Sequence, residues 1–135
     1  MIGLAVAGIM AMICISVHFE AMVIVERICD SIRSGRRSLL MTWAGLLSAH
    51  VVEIWLYAGA YWICDLSGIG GLSGRQSALD YAYFSAVVYT TLGFGDILPE
   101  EGVQMLAGSE ALVGLCLIAW SATITYGHVQ SLRNR

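Results

Sequence analysis

Three long apolar stretches constrain this chain more than any other feature. They lie near Ile2–Val25, Leu39–Cys64 and Val103–Tyr126. Each runs about 24 residues with few ionisable interruptions, enough as a helix to cross a hydrocarbon layer about 30 Å thick. The 135-residue sequence is 58% hydrophobic and only 13% charged, so most of its surface must face something other than water. An all-α membrane protein with three transmembrane helices is the expected fold class. The first stretch reads as a retained span rather than a secretion signal, because no basic segment precedes it and no small-residue cleavage site comes before its charges. Cys14, Cys29, Cys64 and Cys116 show no C-x-x-C or Cys/His spacing. They read as buried thiols, not as a metal site or a disulfide framework.

Charge sets an orientation. All seven basic residues are arginines, and Arg27, Arg33, Arg36 and Arg37 sit in the connection between the first and second stretches. That connection is expected in the cytoplasm by the positive-inside rule, with Arg133 and Arg135 two crossings later on the same side. The N-terminus and the segment Asp65–Gly102 then lie outside. This segment carries Asp65, Asp80, Asp96, Glu100 and Glu101 against Arg75 alone, a negative mouth that would concentrate cations.

Within the outer segment the composition changes twice. Ser67–Arg75 is glycine-rich and reads as a flexible turn. Ser77–Thr90 then looks helical and apolar, with Ser77 or Asp80 placed to cap its start, yet at about 13 residues it is too short to span. A re-entrant helix is the economical reading. It stops at Thr90-Thr91-Leu92-Gly93-Phe94-Gly95-Asp96, with Pro99 following. Non-helical backbone at membrane depth is tolerated only where protein buries it or where it lines a water-filled path. Gly93 and Gly95 can take positive φ without penalty, which lets successive carbonyls turn to one side and replace the hydration shell of a cation.

A short apolar helix followed by T-T-x-G-[YF]-G-D resembles the pore of the potassium-channel family, of the bacterial two-span type with one extra N-terminal helix. The resemblance covers about Leu39–Gly127. It implies an outer helix over 39–64, an outer loop over 65–77, a pore helix over 78–90, a selectivity filter over 91–96 and an inner helix over 103–127. Residues 1–38 would be the extra helix with its cytoplasmic Arg-rich loop, and 128–135 a short cytoplasmic tail. The resemblance further implies that K+ is coordinated by the carbonyls of Thr91, Leu92, Gly93 and Phe94 and the Thr91 hydroxyl, with Gly95 completing the filter and Thr90 ending the pore helix. One pore loop per chain requires a homotetramer with four-fold symmetry.

The pattern departs from the family at three places. Phe94 replaces the commoner tyrosine, Leu92 stands where valine or isoleucine is usual, and Val87 occupies the position of a supporting glutamate. Tyr83, thirteen residues before Asp96, is placed to donate its hydroxyl to that carboxylate, and the filter is expected to lean on this contact alone.

Ionisable groups inside the spans are costly and default to paired or functional roles. His50 and Glu53 share a helix face, while His18 and Glu20 interrupt the first span on different faces. Glu110 lies in the outer half of the third span and Gly114 near its middle. Gating or sensing by His50, Glu53 and Glu110, and a hinge at Gly114, stand against interhelical hydrogen bonding and close packing at a small residue. No nucleophile–base pair, metal cluster or phosphate loop marks an enzyme, and no cofactor beyond the permeating K+ is expected. Partners are itself, membrane lipids and K+, with no nucleic acid, in a multi-pass position in the cell membrane. A weakly selective cation channel and a non-conducting membrane scaffold are the alternatives.

Overall fold

The computed structural model describes residues 2–31 and 35–133. Its elements are α1 (Ile2–Ser31), α2 (Gly35–Leu66), β1 (Leu72–Ser73), α3 (Asp80–Tyr89), β2 (Leu98–Pro99) and α4 (Gln104–Arg133). Three of the helices, α1, α2 and α4, are long and apolar enough to cross a bilayer. Helices satisfy their own backbone groups where no water is present, which is why the apolar stretches take this form. Each continues past the end of its apolar stretch. At 30 residues α1 and α4 are about 45 Å long, so their charged ends project beyond the hydrocarbon layer. Arg27 falls inside α1, and Arg36 and Arg37 inside the first turn of α2. Arg33 and Arg135, counted in the expected orientation, lie outside the described residues.

α1 packs against both α2 and α4. Its buried residues, Ala7, Met10, Cys14, His18, Met22, Val25 and Cys29, recur every three or four positions and form one stripe. The upper part of the stripe joins Tyr57, Tyr61, Cys64, Leu106 and Leu117 in the main apolar core. On the opposite face Ile9, Met12, Ile13 and Phe19 are exposed, as a lipid-facing surface would be. Three cysteines are buried and free; Cys116 is free but exposed on α4, contrary to the expectation that all four sit inside.

The connection from α2 to α4 is held, not slack. β1 and β2 pair antiparallel, Leu72 opposite Pro99 and Ser73 opposite Leu98, a short ribbon that the glycine-rich sequence did not announce. Arg75 bridges Asp65 at 2.8 Å and lies over the Tyr81 ring at 4.8 Å, and Tyr81 donates its hydroxyl to the same carboxylate. Glu100 accepts the Gly71 N–H at 2.9 Å. Asp65 and Glu100 are thus engaged locally.

Both ends of the bundle are fixed by close contacts. At the ribbon end a Cβ on Gly3 would lie 2.3 Å from the Gly102 carbonyl oxygen, so α1 starts beside the entry to α4. At the other end Ser38 of α2 bonds His128 of α4 at 2.9 Å. Gly102 itself is crossed by the carbonyl of Ile69, 1.7 Å from where its Cβ would be. Because that neighbour is backbone, Gly102→Ala should cost about 1–3 kcal/mol through forced displacement, read as a lowered thermal midpoint of the detergent-solubilised protein. An unchanged midpoint would show that the connection gives way freely.

Candidate functional site

α3 is ten residues long and cannot cross a membrane. Its start is not capped as expected: Leu79 occupies the N-cap without a side-chain bond. Instead the Asp80 carboxylate reaches back to the N–H of Gln76 at 2.6 Å and to the N–H and hydroxyl of Ser77 at 2.9 Å each. Those donors hold its carboxyl below the ordinary range, the Gln76 N–H first. The turn before the helix is thereby fixed, rather than the helix's own first N–H groups.

At its other end α3 unwinds in three residues. Thr91 N–H bonds the Val88 carbonyl at 2.8 Å, and Leu92 N–H bonds that of Val87 at 2.9 Å. From there the backbone alternates: Thr91, Gly93 and Gly95 have φ of 59°, 58° and 79°, with Leu92 and Phe94 between them at negative φ. Alternation of hand lets a chain run nearly straight with successive carbonyls on a common side. Glycines at 93 and 95 make this conformation accessible without strain. Thr91 does not have that freedom, and among the described residues it is the one non-glycine at positive φ. A left-handed threonine costs of order 1–2 kcal/mol, so the surroundings must hold it there. Nothing in the residue pattern announces it. Residues 90–96 are all exposed, with Leu92 at 58% and Phe94 at 64%.

Three carboxylates grip this segment and the helix before it. Tyr83 donates to Asp96 Oδ2 at 2.8 Å, the contact their spacing suggested. Behind α3, Glu110 of α4 is fully buried and accepts the hydroxyls of Ser85 and of Tyr61 of α2. At the last residue of α3, Tyr89 donates its hydroxyl to Glu53 of α2. The expectation that Tyr83–Asp96 is the sole support is therefore corrected. Val87, where a glutamate was missed, is buried, while Glu110 reaches α3 from a different helix. Gly114 lies where α4 passes the end of α3: a Cβ there would sit 2.3 Å from the Tyr89 carbonyl oxygen. α4 thus packs closely on the end of α3 at this small residue and runs through it as continuous helix.

The polar groups inside the spans converge. His50 and Glu53 approach to 3.3 Å, as a shared face allows. His18 joins them from α1, its Nδ1 lying 2.9 Å from Glu53 Oε1, whereas Glu20 is exposed. Ser121 of α4 lies 3.1 Å from the Nε2 atoms of both histidines. Neither His18 nor Ser121 was tied to the others in the sequence reading. The available signal was the stripe of α1, where His18 stands in step with Cys14 and Met22. A cavity of about 560 Å³ between α2, α4 and the end of α3 is lined by His50, Tyr89, Thr90 and Ser121 together with Trp43 and Tyr126.

Removing the shared acceptor behind α3 gives a direct test of this grip. Glu110→Ala orphans the buried Tyr61 hydroxyl, while the Ser85 hydroxyl keeps the Ile54 carbonyl at 2.8 Å, so it should cost about 1–3 kcal/mol and lower the unfolding midpoint in detergent. Glu110→Gln, which keeps an acceptor, should lose less. Equal and small losses in both would show that α3 is held by apolar packing alone.

A family model described as "Ion channel" (Ion_trans_2) matches residues 49–130, which takes in most of α2, all of α3, the Thr90–Asp96 segment and nearly all of α4. Neither the curated proteins nor the solved structures contain a significant match. Three membrane-crossing helices, a fourth too short to cross, and a family match over more than half of the chain place this protein, as an all-α membrane protein, in the ion-channel family built on the two-span, potassium-channel-type pore domain.

Proposed function

We propose that four copies of this chain surround a potassium-selective pore, with the Thr91, Leu92, Gly93 and Phe94 carbonyls and the Thr91 hydroxyl as its stacked ion ligands. The observation that carries this reading is the alternation of positive and negative φ from Thr91 to Gly95, directly after a helix too short to cross. A row of inward carbonyls replaces the hydration shell of a cation only if it closes into a ring, and one chain supplies one side of it. The exposure of Leu92 and Phe94 in a single chain fits a segment that meets other copies. The C-terminal end of α3 carries the negative end of its dipole, which favours a cation beneath the filter.

Orientation follows from the arginines. Arg27, Arg36, Arg37 and Arg133 lie at the end of the bundle away from the ribbon, so this end faces the cytoplasm, the N-terminus and the filter mouth face outward, and the chain resides in the cell membrane. The protein acts as a passive conductor, not an enzyme, and needs no cofactor beyond the ion it passes.

Phe94 supplies the one specific argument for weaker selectivity, since it has no hydroxyl with which to tie the filter to its surroundings. Reversal potentials of the purified protein in liposomes with potassium on one side and sodium on the other decide between the two. A potential close to the potassium equilibrium value is expected, and one near zero would favour a weakly selective cation channel. Gly93→Ala forces a side chain onto a backbone at φ 58° and should abolish conduction or selectivity. Tyr83→Phe removes the hydroxyl bonded to Asp96 and should speed inactivation or reduce potassium preference. No flux from the unaltered protein would point to a scaffold.

A further inference from the structure

His18, His50, Glu53, Tyr89 and Ser121 close into a ring of five contacts: His18 Nδ1 to Glu53 Oε1, Tyr89 hydroxyl to Glu53 Oε2, His50 Nδ1 to Tyr89 hydroxyl, and Ser121 hydroxyl to the Nε2 of each histidine. Each contact needs one proton between its two atoms. With Glu53 ionised and both imidazoles neutral, the ring holds four protons, one on each imidazole and one on each hydroxyl. Tyr89 donates to Glu53, so His50 must donate to Tyr89 from Nδ1, and His18 must donate to the carboxylate from Nδ1. Both Nε2 atoms are then bare acceptors, and Ser121 has a single proton for the two of them. One contact is left with lone pair against lone pair. The ring also carries a net negative charge, although His18 and Glu53 are fully buried.

We propose that this ring is a binding site for one proton, whose arrival completes all five contacts, cancels the net charge and clamps α4 to α1 and α2 beside the end of α3. A second added proton would leave the Ser121 proton without a ring partner and give the apolar core a net positive charge, so the site takes one. The added proton belongs to the ring as a whole rather than to a single member. His18, His50 and Glu53 offer ligand atoms within 4.8 Å of one another, but each such atom already faces a protein partner, so the ring suits a proton and not a metal ion. The other titratable groups packed nearby are Cys14 on α1, Tyr57 on α2 and Glu110 on α4, the last engaged by Ser85 and Tyr61. Trp120 lies against His18 with ring centroids 5.9 Å apart. His50 is partly exposed on the cavity of about 560 Å³, so the ring is open to it on that side.

Tyr89 directly precedes Thr90, and Ser121 lies on the helix that follows the filter segment, so the state of the ring bears on both walls of the pathway. That coupling rests on the pore reading; the proton site does not. The test uses the full chain with 15N-labelled histidine in lipid bilayers and a His128→Gln background, leaving His18 and His50 to report. Across about pH 5 to about pH 9 the two imidazoles are expected to take up a single proton between them, their resonances moving together. Glu53→Gln supplies the missing proton from its carboxamide, which donates to Tyr89 and turns the Tyr89 proton to His50. Its ring is complete without titration, and both imidazoles should stay neutral throughout. Ser121→Ala removes the two contacts that compete for one proton and should leave the histidines titrating independently. Uptake of two protons or none by the unaltered ring, or a wild-type titration in Glu53→Gln, would overturn the proposal. None of these readings needs ion flux, so a failed pore and a failed proton site are told apart. If the protein conducts, potassium flux in liposomes should follow the same one-proton curve and lose its pH dependence in Glu53→Gln.

Discussion

In a hydrocarbon layer, backbone that leaves the helical state must find partners other than lipid for its N–H and carbonyl groups. The segment from Thr90 to Asp96 leaves the helical state directly after α3, and contacts from the other helices surround that point. α3 leads into it and stops, because Thr91 turns left-handed and the N–H groups of Thr91 and Leu92 bond back to Val88 and Val87. A threonine held at φ 59° is strained, and strain persists only where surroundings over-determine a conformation. Here those surroundings are three carboxylates on three different stretches of chain. Asp96 holds Tyr83, Glu110 holds Ser85, and Glu53 holds Tyr89.

Two of these carboxylates lie in spans where an ionisable side chain is costly, and both are fully surrounded by hydroxyl or imidazole partners. The cost is offset by hydrogen bonds made in a medium of low dielectric, where they are stronger than in water. α1 takes part in this through His18. It is thus more than an apolar cover on a two-span pore: it completes the shell around Glu53 and meets α4 at Ser121. A helix that contributed only lipid-facing surface would have no reason to bury a histidine at its midpoint.

The parts of this structure legible in the sequence are those set by local pattern. Long apolar runs gave the three spans, the short run after Ser77 gave α3, and the alternate glycines gave positive φ at 93 and 95. The thirteen-residue spacing gave the contact of Tyr83 with Asp96. What was not legible depends on which helices become neighbours. Glu110 stands in for a glutamate absent at position 87, but its reach to Ser85 depends on how α4 crosses behind α3, which residue spacing on either helix does not encode. His18 is more than thirty residues from Glu53, and only the stripe of buried residues on α1 hints that it points inward. The positive φ of Thr91 is a third case, because threonine has no preference for that region and the conformation is imposed from outside. The ends of the long helices differ from expectation for a simpler reason: apolar composition marks where lipid begins, while hydrogen bonding carries α1, α2 and α4 further.

The central claim is that residues 91–94 form stacked cation sites on a four-fold axis, and it can be observed directly. Crystals of the purified protein grown with thallium ions in place of potassium would yield anomalous difference density wherever a monovalent cation is held. A column of peaks on a four-fold axis, level with the carbonyls of Thr91, Leu92, Gly93 and Phe94, is the expected result. Absence of density there, or an assembly in which the Thr90–Asp96 segments of separate chains do not meet, would contradict the account.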